Sequence, residues 1–289
     1  MAVQNRRLGI ACAIGVLFVW SGFLVVARLG IQTSLTAADI AVLRLTVAGG
    51  IILPFVGRWW PRDLGLGPTL ILMTCGPGII YSLLMFQGLI ETSAAYGGVF
   101  ANGTLPIFTS LIVALVTAVF PTRKQVVAIA VILAGGVLVG VTGLRIEGAN
   151  VPLGIALLLA ASAFLSIYIF GLRHWDIGPR QALVLVNVPN AVLFLPIWYF
   201  FMPSGMAEAS TQTILIQALY QGLGPGFVAM TLFALAATNL GATATAGFSA
   251  AVPASAALLA IPVLREVPNP LEWCGIALVT LGLILLVRR

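Results

Sequence analysis

The chain has 289 residues, of which 61% are hydrophobic and only 8% are charged, and its formal net charge is +6. Soluble domains carry roughly 25% charged residues, so this composition excludes an ordinary soluble enzyme or binding module. The basic residues fall in ones and twos between apolar stretches, unlike the dense basic patch of a nucleic-acid-binding protein. Because those stretches are long enough to cross about 30 Å of hydrocarbon, we predict an all-α polytopic membrane protein.

Apolar segments separated by short polar breaks predict ten transmembrane helices. The first follows Arg6-Arg7; it is longer than the apolar region of a signal peptide, so we predict a retained helix. The second ends at Arg58-Trp59-Trp60, a basic and aromatic pattern typical of a membrane interface. The predicted helices cover about 8–28, 38–56, 69–91, 94–120, 125–144, 152–173, 180–201, 211–238, 243–264 and 271–287.

The third and eighth predicted helices each contain a Gly-Pro-Gly triplet, Gly76-Pro77-Gly78 and Gly224-Pro225-Gly226. Proline removes a backbone donor and glycine permits unusual dihedral angles, so each triplet predicts a helix break or kink. Interrupted helices at corresponding places in two halves of a chain indicate a transporter's substrate site. We therefore predict that both triplets act as hinges and form the floor of a central pocket. Ordinary packing kinks are the alternative.

The two halves of the chain are similar in sequence. Leu8-Gly9-Ile10-Ala11 returns as Leu153-Gly154-Ile155-Ala156, and the two triplets repeat at a similar offset. We predict two five-helix units, residues 1–148 and 149–289, and an odd number of helices places the second unit in the opposite orientation. With the N-terminus inside, ten basic residues lie on the inner side and four on the outer side. This asymmetry predicts cytoplasmic termini and an inverted five-plus-five repeat.

Residues suited to catalysis or metal binding are sparse. His174 is the only histidine, it lies beside Arg173 at a predicted helix end, and the three cysteines show no metal-ligand spacing. A paired-histidine metal site is therefore excluded, and a Ser–His triad has little support. We predict no enzyme activity, no cofactor, no metal and no nucleic-acid partner.

Charged residues inside membrane helices are costly and are usually functional. Asp39, Arg44 and Glu91 are predicted toward the outer ends of the second and third helices. Two interpretations stay open: interface charges, which either extend to the membrane surface or pair as Asp39 and Arg44, or an outer gate to which Arg44 or Glu91 contributes. No Asp or Glu stands at the centre of a predicted helix, which weighs against a buried carboxylate that carries protons.

Aromatic and small polar side chains predominate near the predicted midplane. An apolar pocket with a few oriented polar groups suits a neutral or zwitterionic organic solute. For any single aromatic residue, helix packing is an equal alternative. The predicted substrate-binding residues are Trp20, Ser21, Tyr81, Met85, Tyr96, Phe100, Asn102, Ser166, Tyr168, Met230, Phe248 and Ser249.

Small residues form a face on the fifth predicted helix, from Gly135-Gly136 to Gly140 and Gly143. Such a face allows two helices to approach closely. We favour packing within one chain, and therefore a monomer in the lipid bilayer. Packing between two chains, in a homodimer, is the alternative.

With ten helices and this repeat, the whole chain resembles the drug/metabolite transporter superfamily, in particular its EamA-type members. In the first half, Pro121-Thr122 stands where that family usually has an acidic residue. The length of the chain and its aromatic-rich helices look like those of YddG-type amino-acid exporters. The local signals are the pattern from Ala94 through Gly97-Gly98 to Pro106, its counterpart from Ala242 through Gly247 to Pro253, and Leu264-Arg265-Glu266 followed by Gly275 and Gly282.

The resemblance implies an inner-membrane carrier that exports amino acids, aromatic or other apolar ones, and related small metabolites. It also implies alternating access through a central cavity between the two repeats, with the fifth and tenth helices peripheral. The nearest alternative is a multidrug exporter for organic cations. Related four-helix exporters use a carboxylate in the first helix, and this chain has none there. A channel and a membrane enzyme acting on lipid are further alternatives.

Overall fold

The computed structural model describes residues 5–143 and 149–287, which form helices joined by short connections, without a β-strand. Within these described residues, nine helical segments are long and apolar enough to cross a membrane, and Val252–Leu264 is a shorter apolar helix. The prediction of an all-α polytopic membrane protein is confirmed. The segments are α1 (Arg6–Ile31), α2 (Ala37–Trp59), α3 (Leu66–Ile90), α4 (Ala94–Thr117), α5 (Arg123–Gly143), α6 (Val151–His174), α7 (Pro179–Phe201), α8 (Thr211–Leu240), α9 (Ala242–Ser249 and Val252–Leu264) and α10 (Pro270–Val287).

The helix boundaries follow capping residues in the sequence. The Asn5 side chain accepts a hydrogen bond from the Leu8 amide at the start of α1, and Thr36 and Asp39 form a reciprocal capping box at the start of α2. One predicted end is wrong: α4 stops at Thr117, because Ala118 adopts a left-handed backbone with φ of 55°.

Helices α5 and α10 pack closely through glycines. A Cβ atom on Gly135 would lie 2.6 Å from the carbonyl oxygen of Gly275, and one on Gly275 would lie 2.6 Å from that of Gly135. On the neighbouring face of α5, Gly136 and Gly140 lie against the Phe100 ring. These contacts lie within one chain, which confirms the predicted intramolecular packing of this face.

The first Gly-Pro-Gly triplet breaks α3 as predicted. The helix stops at Cys75 and resumes at Ile79, and Gly76 between them is extended, with ψ of 175°. Pro77 has no N–H, so it cannot donate to the carbonyl of Met73 four residues earlier. The Asn190 side chain on α7 fills this gap: its Nδ2 donates to Met73 O at 3.0 Å, and its Oδ1 accepts from Ile79 N at 3.0 Å.

The second triplet does not break α8, so of the predicted break or kink only a local distortion of the helix is found here. Gly224–Val228 forms a single π-helical turn, in which the Ala229 amide donates to the Gly224 carbonyl, and the helix continues to Leu240. The wider turn accommodates the proline while helical hydrogen bonding continues on both sides of it. In the sequence register that matches Leu53-Pro54 with Leu195-Pro196, Asn190 corresponds to Ala48 on α2. Ala48 has no side-chain amide, so it could not bridge a second break in α8.

The two ends of the helix bundle differ in packing. We call the end at which α1 finishes the Arg28 end, and the opposite end the Arg6 end. In α4, every residue from Ala94 to Ala101 near the Arg28 end is buried, whereas no residue of Leu105–Thr117 is. In α9, six residues of Val252–Leu264 are buried, but among the described side chains of Ala242–Ser249 only Thr245 is. Packing of α4 and α9 is therefore concentrated at the Arg28 end.

Replacing Asn190 with Leu should destabilise the protein, because Met73 O and Ile79 N would both lose their hydrogen-bond partner. Each unsatisfied buried group costs about 1–3 kcal/mol, so the melting temperature in detergent should fall by roughly 5–10 °C. Asn187→Leu is the matched control, since the Asn187 amide donates only to Leu183 O within its own helix. Equal shifts for the two variants would contradict the bridging role.

Candidate functional site

A buried arginine occupies the interface of α1, α2, α3 and α8. The guanidinium of Arg44 lies 5.4 Å from the Phe23 ring centroid and 5.7 Å from that of Tyr81. Its Nη1 donates to Ser82 Oγ over a long 3.4 Å, and the residue is only 9% exposed. The aromatic faces provide cation–π attraction, but they do not accept conventional hydrogen bonds from the charged group.

Arg44 has no acidic partner in residues 5–143 and 149–287, where the only ion pair joins Arg28 and Glu266. A guanidinium carries five N–H donors, and Ser82 is its only hydrogen-bond acceptor in this part of the chain. A buried cation without a hydrogen-bonded anion is costly. The site therefore has spare capacity to bind a negatively charged group.

Two buried glutamines on α8 lie beside the same stretch of α1. Gln217 Nε2 donates to Val26 O at 2.6 Å, and Gln221 Nε2 lies 3.4 Å from Phe23 O and 3.3 Å from Gln217 Oε1. Gln221 is 1% exposed, and its Oε1 has no hydrogen-bond partner. The Phe23 ring therefore packs on Arg44, and the Phe23 carbonyl faces Gln221. As a result, the unused N–H donors of Arg44 and the unused Oε1 acceptor of Gln221 lie around one residue of α1.

One ion pair ties four helices together at the Arg28 end. Arg28 Nε donates to Glu266 Oε1 at 2.8 Å, and Arg28 Nη1 donates to the Leu89 carbonyl at the end of α3 at 2.7 Å. The other carboxylate oxygen of Glu266 accepts from the Ala94 amide at the start of α4, at 3.0 Å. Because Glu266 directly follows α9, the pair links α1, α3, α4 and α9.

The other acidic residues predicted near this end stabilise helix ends. Asp39 accepts from Trp198 Nε1 at 2.8 Å and from the Gly205 amide at 2.9 Å, so the alternative of an Asp39–Arg44 pair is wrong. Glu91 accepts from the Asn150 amide at 2.9 Å, before the start of α6. The predicted gate residues Arg44 and Glu91 make separate contacts, and the only ion pair at this end of the described chain is Arg28–Glu266.

Four of the predicted binding residues lie on α1 and α3, two of the helices around Arg44. Tyr81 and Met85 follow the break in α3 and are 5% and 0% exposed. Ser21 on α1 is buried and donates to Val252 O on α9. Trp20 is half-buried, with its ring 5.8 Å from that of Phe233 on α8. Only Tyr81 among these contacts the guanidinium directly.

The remaining predicted residues lie in several different packing interfaces. Tyr96 is buried, with its hydroxyl 2.9 Å from Val139 O and 3.1 Å from Glu272 Oε1, against α5 and α10. Tyr168 packs beside Gly76 at the α3 break. Ser166 donates to Leu105 O, and Ser249 donates to Thr245 O in its own helix. Phe100 packs on α5, and Phe248 packs against the cluster of Cys12 and Ala236. Asn102 ends a π-helical turn in α4, and Met230 is 49% exposed.

The sequence interpretation missed Gln217, Gln221 and the pairing of Arg28 with Glu266. A signal for the pair was present, since Arg28 ends the first predicted helix and Glu266 lies two residues after the ninth, at the same predicted side. The glutamines gave no such signal, because uncharged polar residues in an apolar helix are compatible with many positions. In the described residues no cluster of three His, Cys, Asp or Glu side chains could hold a metal ion.

Two cavities lie away from Arg44. One of about 340 Å³ is lined by the start of α2, α3, α6 and the end of α7, including Gln87 and Leu157. The other, of about 550 Å³, lies between the α2–α3 loop and the α6–α7 loop, including Arg62 and Asp176. The second is a polar surface depression, and the first is mainly apolar.

Comparison with known proteins places the fold among transporters. Residues 7–141 and 152–288 match the model of the EamA-like transporter family. The chain is 28% identical over 266 residues to YwfM, an uncharacterized transporter of Bacillus subtilis (strain 168), covering 88% of this chain and 85% of that protein. A crystal structure of a protein described without a function matches with a TM-score of 0.62 and 17% identity, covering 99% of this chain and 100% of the other. At that identity, the crystal structure shows the fold alone.

The Arg28–Glu266 link can be measured with a double-mutant cycle of Arg28→Met and Glu266→Gln. Each single variant should lower the free energy of unfolding in detergent by about 1–3 kcal/mol, because each leaves a charged or backbone partner unsatisfied. The double variant should lose less than the sum, by about 1 kcal/mol. Additive losses would show that the two side chains act independently.

Proposed function

This chain belongs to the EamA-like transporter family, and from that premise we propose that it exports amino acids with aromatic or other apolar side chains, and related small metabolites, from the cytoplasm. Membership of this family supports a multi-pass membrane transporter. The substrate class, the inner-membrane location and the direction of transport are our proposal.

The observation that carries the substrate class is the environment of Arg44. The buried charge has aromatic neighbours and no acidic partner in the described chain. A solute with an apolar body and its own negative charge would match this site. An organic cation would meet a guanidinium of the same sign, so the site disfavours the multidrug alternative.

We propose alternating access between two arrangements of the five-helix halves. The Arg28–Glu266 pair and the dense packing of α4 and α9 support a closed Arg28 end, and the sparse packing of α4 at the Arg6 end supports an opening there. Arg173, which matches Arg28 in the predicted repeat, is exposed and forms no ion pair within the described residues. With cytoplasmic termini, this arrangement would face the cytoplasm, ready to receive a substrate for export.

The two Gly-Pro-Gly triplets would contribute unequally to this movement. At Gly76-Pro77-Gly78 the two parts of α3 are joined by extended backbone and by the amide of Asn190, so they have separate helical axes. At Gly224-Pro225-Gly226 the helix is continuous through a π-helical turn. We propose the first triplet as the main hinge and the second as a point of limited bending.

The substrate proposal predicts saturable uptake of labelled L-phenylalanine and L-leucine into proteoliposomes. Flux should follow the amino-acid gradient and change less than about twofold when a pH gradient is imposed, because no acidic side chain forms an ion pair with Arg44 in the described chain. Empty liposomes provide the background. Absence of uptake of any apolar amino acid would reject the proposal, and a measurable single-channel conductance in planar bilayers would favour a channel.

The hinge proposal predicts that Pro77→Ala lowers the maximal flux more than Pro225→Ala. An alanine N–H at residue 77 could donate to Met73 O and extend the helix, which would compete with the Asn190 bridge. We expect a loss of roughly tenfold, equivalent to about 1.4 kcal/mol on the rate-limiting step, and less than about twofold for Pro225→Ala. Monodisperse elution in detergent checks that both variants fold. Unchanged flux for Pro77→Ala would make this triplet an ordinary packing kink.

A further inference from the structure

We infer that Arg44 and Gln221 together form the receptor for the charged end of an amino acid, with Arg44 binding its carboxylate and Gln221 Oε1 accepting from its ammonium group. This inference rests on the proposed function and assigns the binding chemistry within it. Arg44, expected from the sequence at an interface or a gate, becomes a residue that determines substrate specificity.

The depth of Arg44 separates it from an interface charge. Arg44 is seven residues along α2 from Ala37, which at 1.5 Å per residue is about 10 Å below the start of the helix. An arginine at an interface extends its charged group to water or lipid headgroups. Here the guanidinium is held inward between Phe23 and Tyr81, and the residue is only 9% exposed.

The donors of Arg44 suit a carboxylate. A planar guanidinium can donate two parallel hydrogen bonds to the two oxygens of a carboxylate. In residues 5–143 and 149–287 only Nη1 makes a hydrogen bond, the 3.4 Å contact with Ser82 Oγ. A carboxylate from the substrate would provide the missing anion and would remove the cost of the unpaired buried charge.

The orientation of the Gln221 amide is fixed by its neighbours. Backbone carbonyls only accept hydrogen bonds, so the Phe23 and Val26 carbonyls require the Nε2 atoms of Gln221 and Gln217 to face them. Gln217 Oε1 then accepts from Gln221, which leaves Gln221 Oε1 without a donor. A buried acceptor of this kind costs free energy until a donor reaches it, and an ammonium group carries three.

The two groups are connected through a single residue of α1. The Phe23 ring packs under Arg44, and the Phe23 carbonyl lies against Gln221 Nε2. The apolar side chains of Tyr81, Met85 and Phe86 pack in the same core cluster as Phe23. An amino acid would therefore find a partner for each charged group and apolar neighbours for its side chain.

Three probe ligands separate these contributions in an equilibrium binding assay on purified protein in detergent. L-Phenylalanine has both charged groups, 3-phenylpropionate has only the carboxylate, and phenethylamine has only the ammonium group. Wild-type protein should bind phenylalanine most tightly, 3-phenylpropionate more weakly, and phenethylamine most weakly, because phenethylamine leaves Arg44 unpaired.

Substitutions at the two positions should change this ranking in different ways. Arg44→Gln should weaken phenylalanine and 3-phenylpropionate at least about tenfold, as expected for a charge-assisted hydrogen bond, and should leave phenethylamine within about twofold. Gln221→Leu should weaken phenylalanine several-fold without weakening 3-phenylpropionate. Arg44→Lys should retain part of the carboxylate preference, since it keeps the charge but not the planar donors. Arg58→Gln and Gln212→Leu, which change exposed residues, are matched controls and should keep the wild-type ranking.

The outcomes distinguish this inference from the proposed function. If Arg44→Gln weakens all three ligands equally, or leaves phenylalanine unchanged, Arg44 is not the carboxylate receptor, although phenylalanine remains a substrate of the wild type. If wild-type protein binds 3-phenylpropionate but not phenylalanine, the amino-acid substrate is rejected while Arg44 remains a carboxylate receptor and Gln221 loses its assigned role. Wild-type protein that binds none of the three overturns both.

Discussion

An apolar membrane interior provides no water for a backbone group that has lost its hydrogen bond, and this constraint governs the arrangement of the polar residues here. Pro77 leaves the Met73 carbonyl without its helical donor, and the break leaves the Ile79 amide without its acceptor. One side-chain amide, Asn190, serves both. The break in α3 therefore depends on a residue more than a hundred positions away, and α7 is held against α3 by the same contacts.

The same constraint explains why the unsatisfied groups near Phe23 are informative. Asn190 and Gln217 have bonded side-chain donors, and Asp39 accepts several hydrogen bonds at the start of α2. Against this background, Arg44 makes a single long hydrogen bond, and in the described chain Gln221 Oε1 and Thr280 Oγ1 are buried oxygens without a hydrogen-bond partner. A membrane protein that retains such groups in its interior incurs a stability cost, and in the proposed function the binding of a complementary solute would offset that cost.

The two halves of the chain differ in their polar contacts and in their helix breaks, even though their sequences correspond. The Arg28–Glu266 pair joins four helices at one end, whereas Arg173 at the matching position of the second half is exposed and Pro121-Thr122 supplies no acid there. Likewise, the first triplet is a break and the second is a π-helical turn. In the proposed transport cycle these differences would favour one arrangement at rest, closed at the Arg28 end, and would place most of the bending in α3.

The sequence by itself determined the fold class, the ten helical segments and their approximate bounds, because apolar length, capping residues and proline act locally. It also contained the residues by which the chain resembles its family, and the family match confirms that resemblance. The inverted orientation of the halves stays a prediction from the distribution of basic residues. Which polar residues meet was decided only by the tertiary structure. The identical Gly-Pro-Gly triplets differ because α7 offers Asn190 where α2 has Ala48. Asp39 accepts from Trp198 and Gly205, and Arg44 is left without an acidic partner in the described chain. Such outcomes depend on partners distant in the chain, which no local pattern specifies.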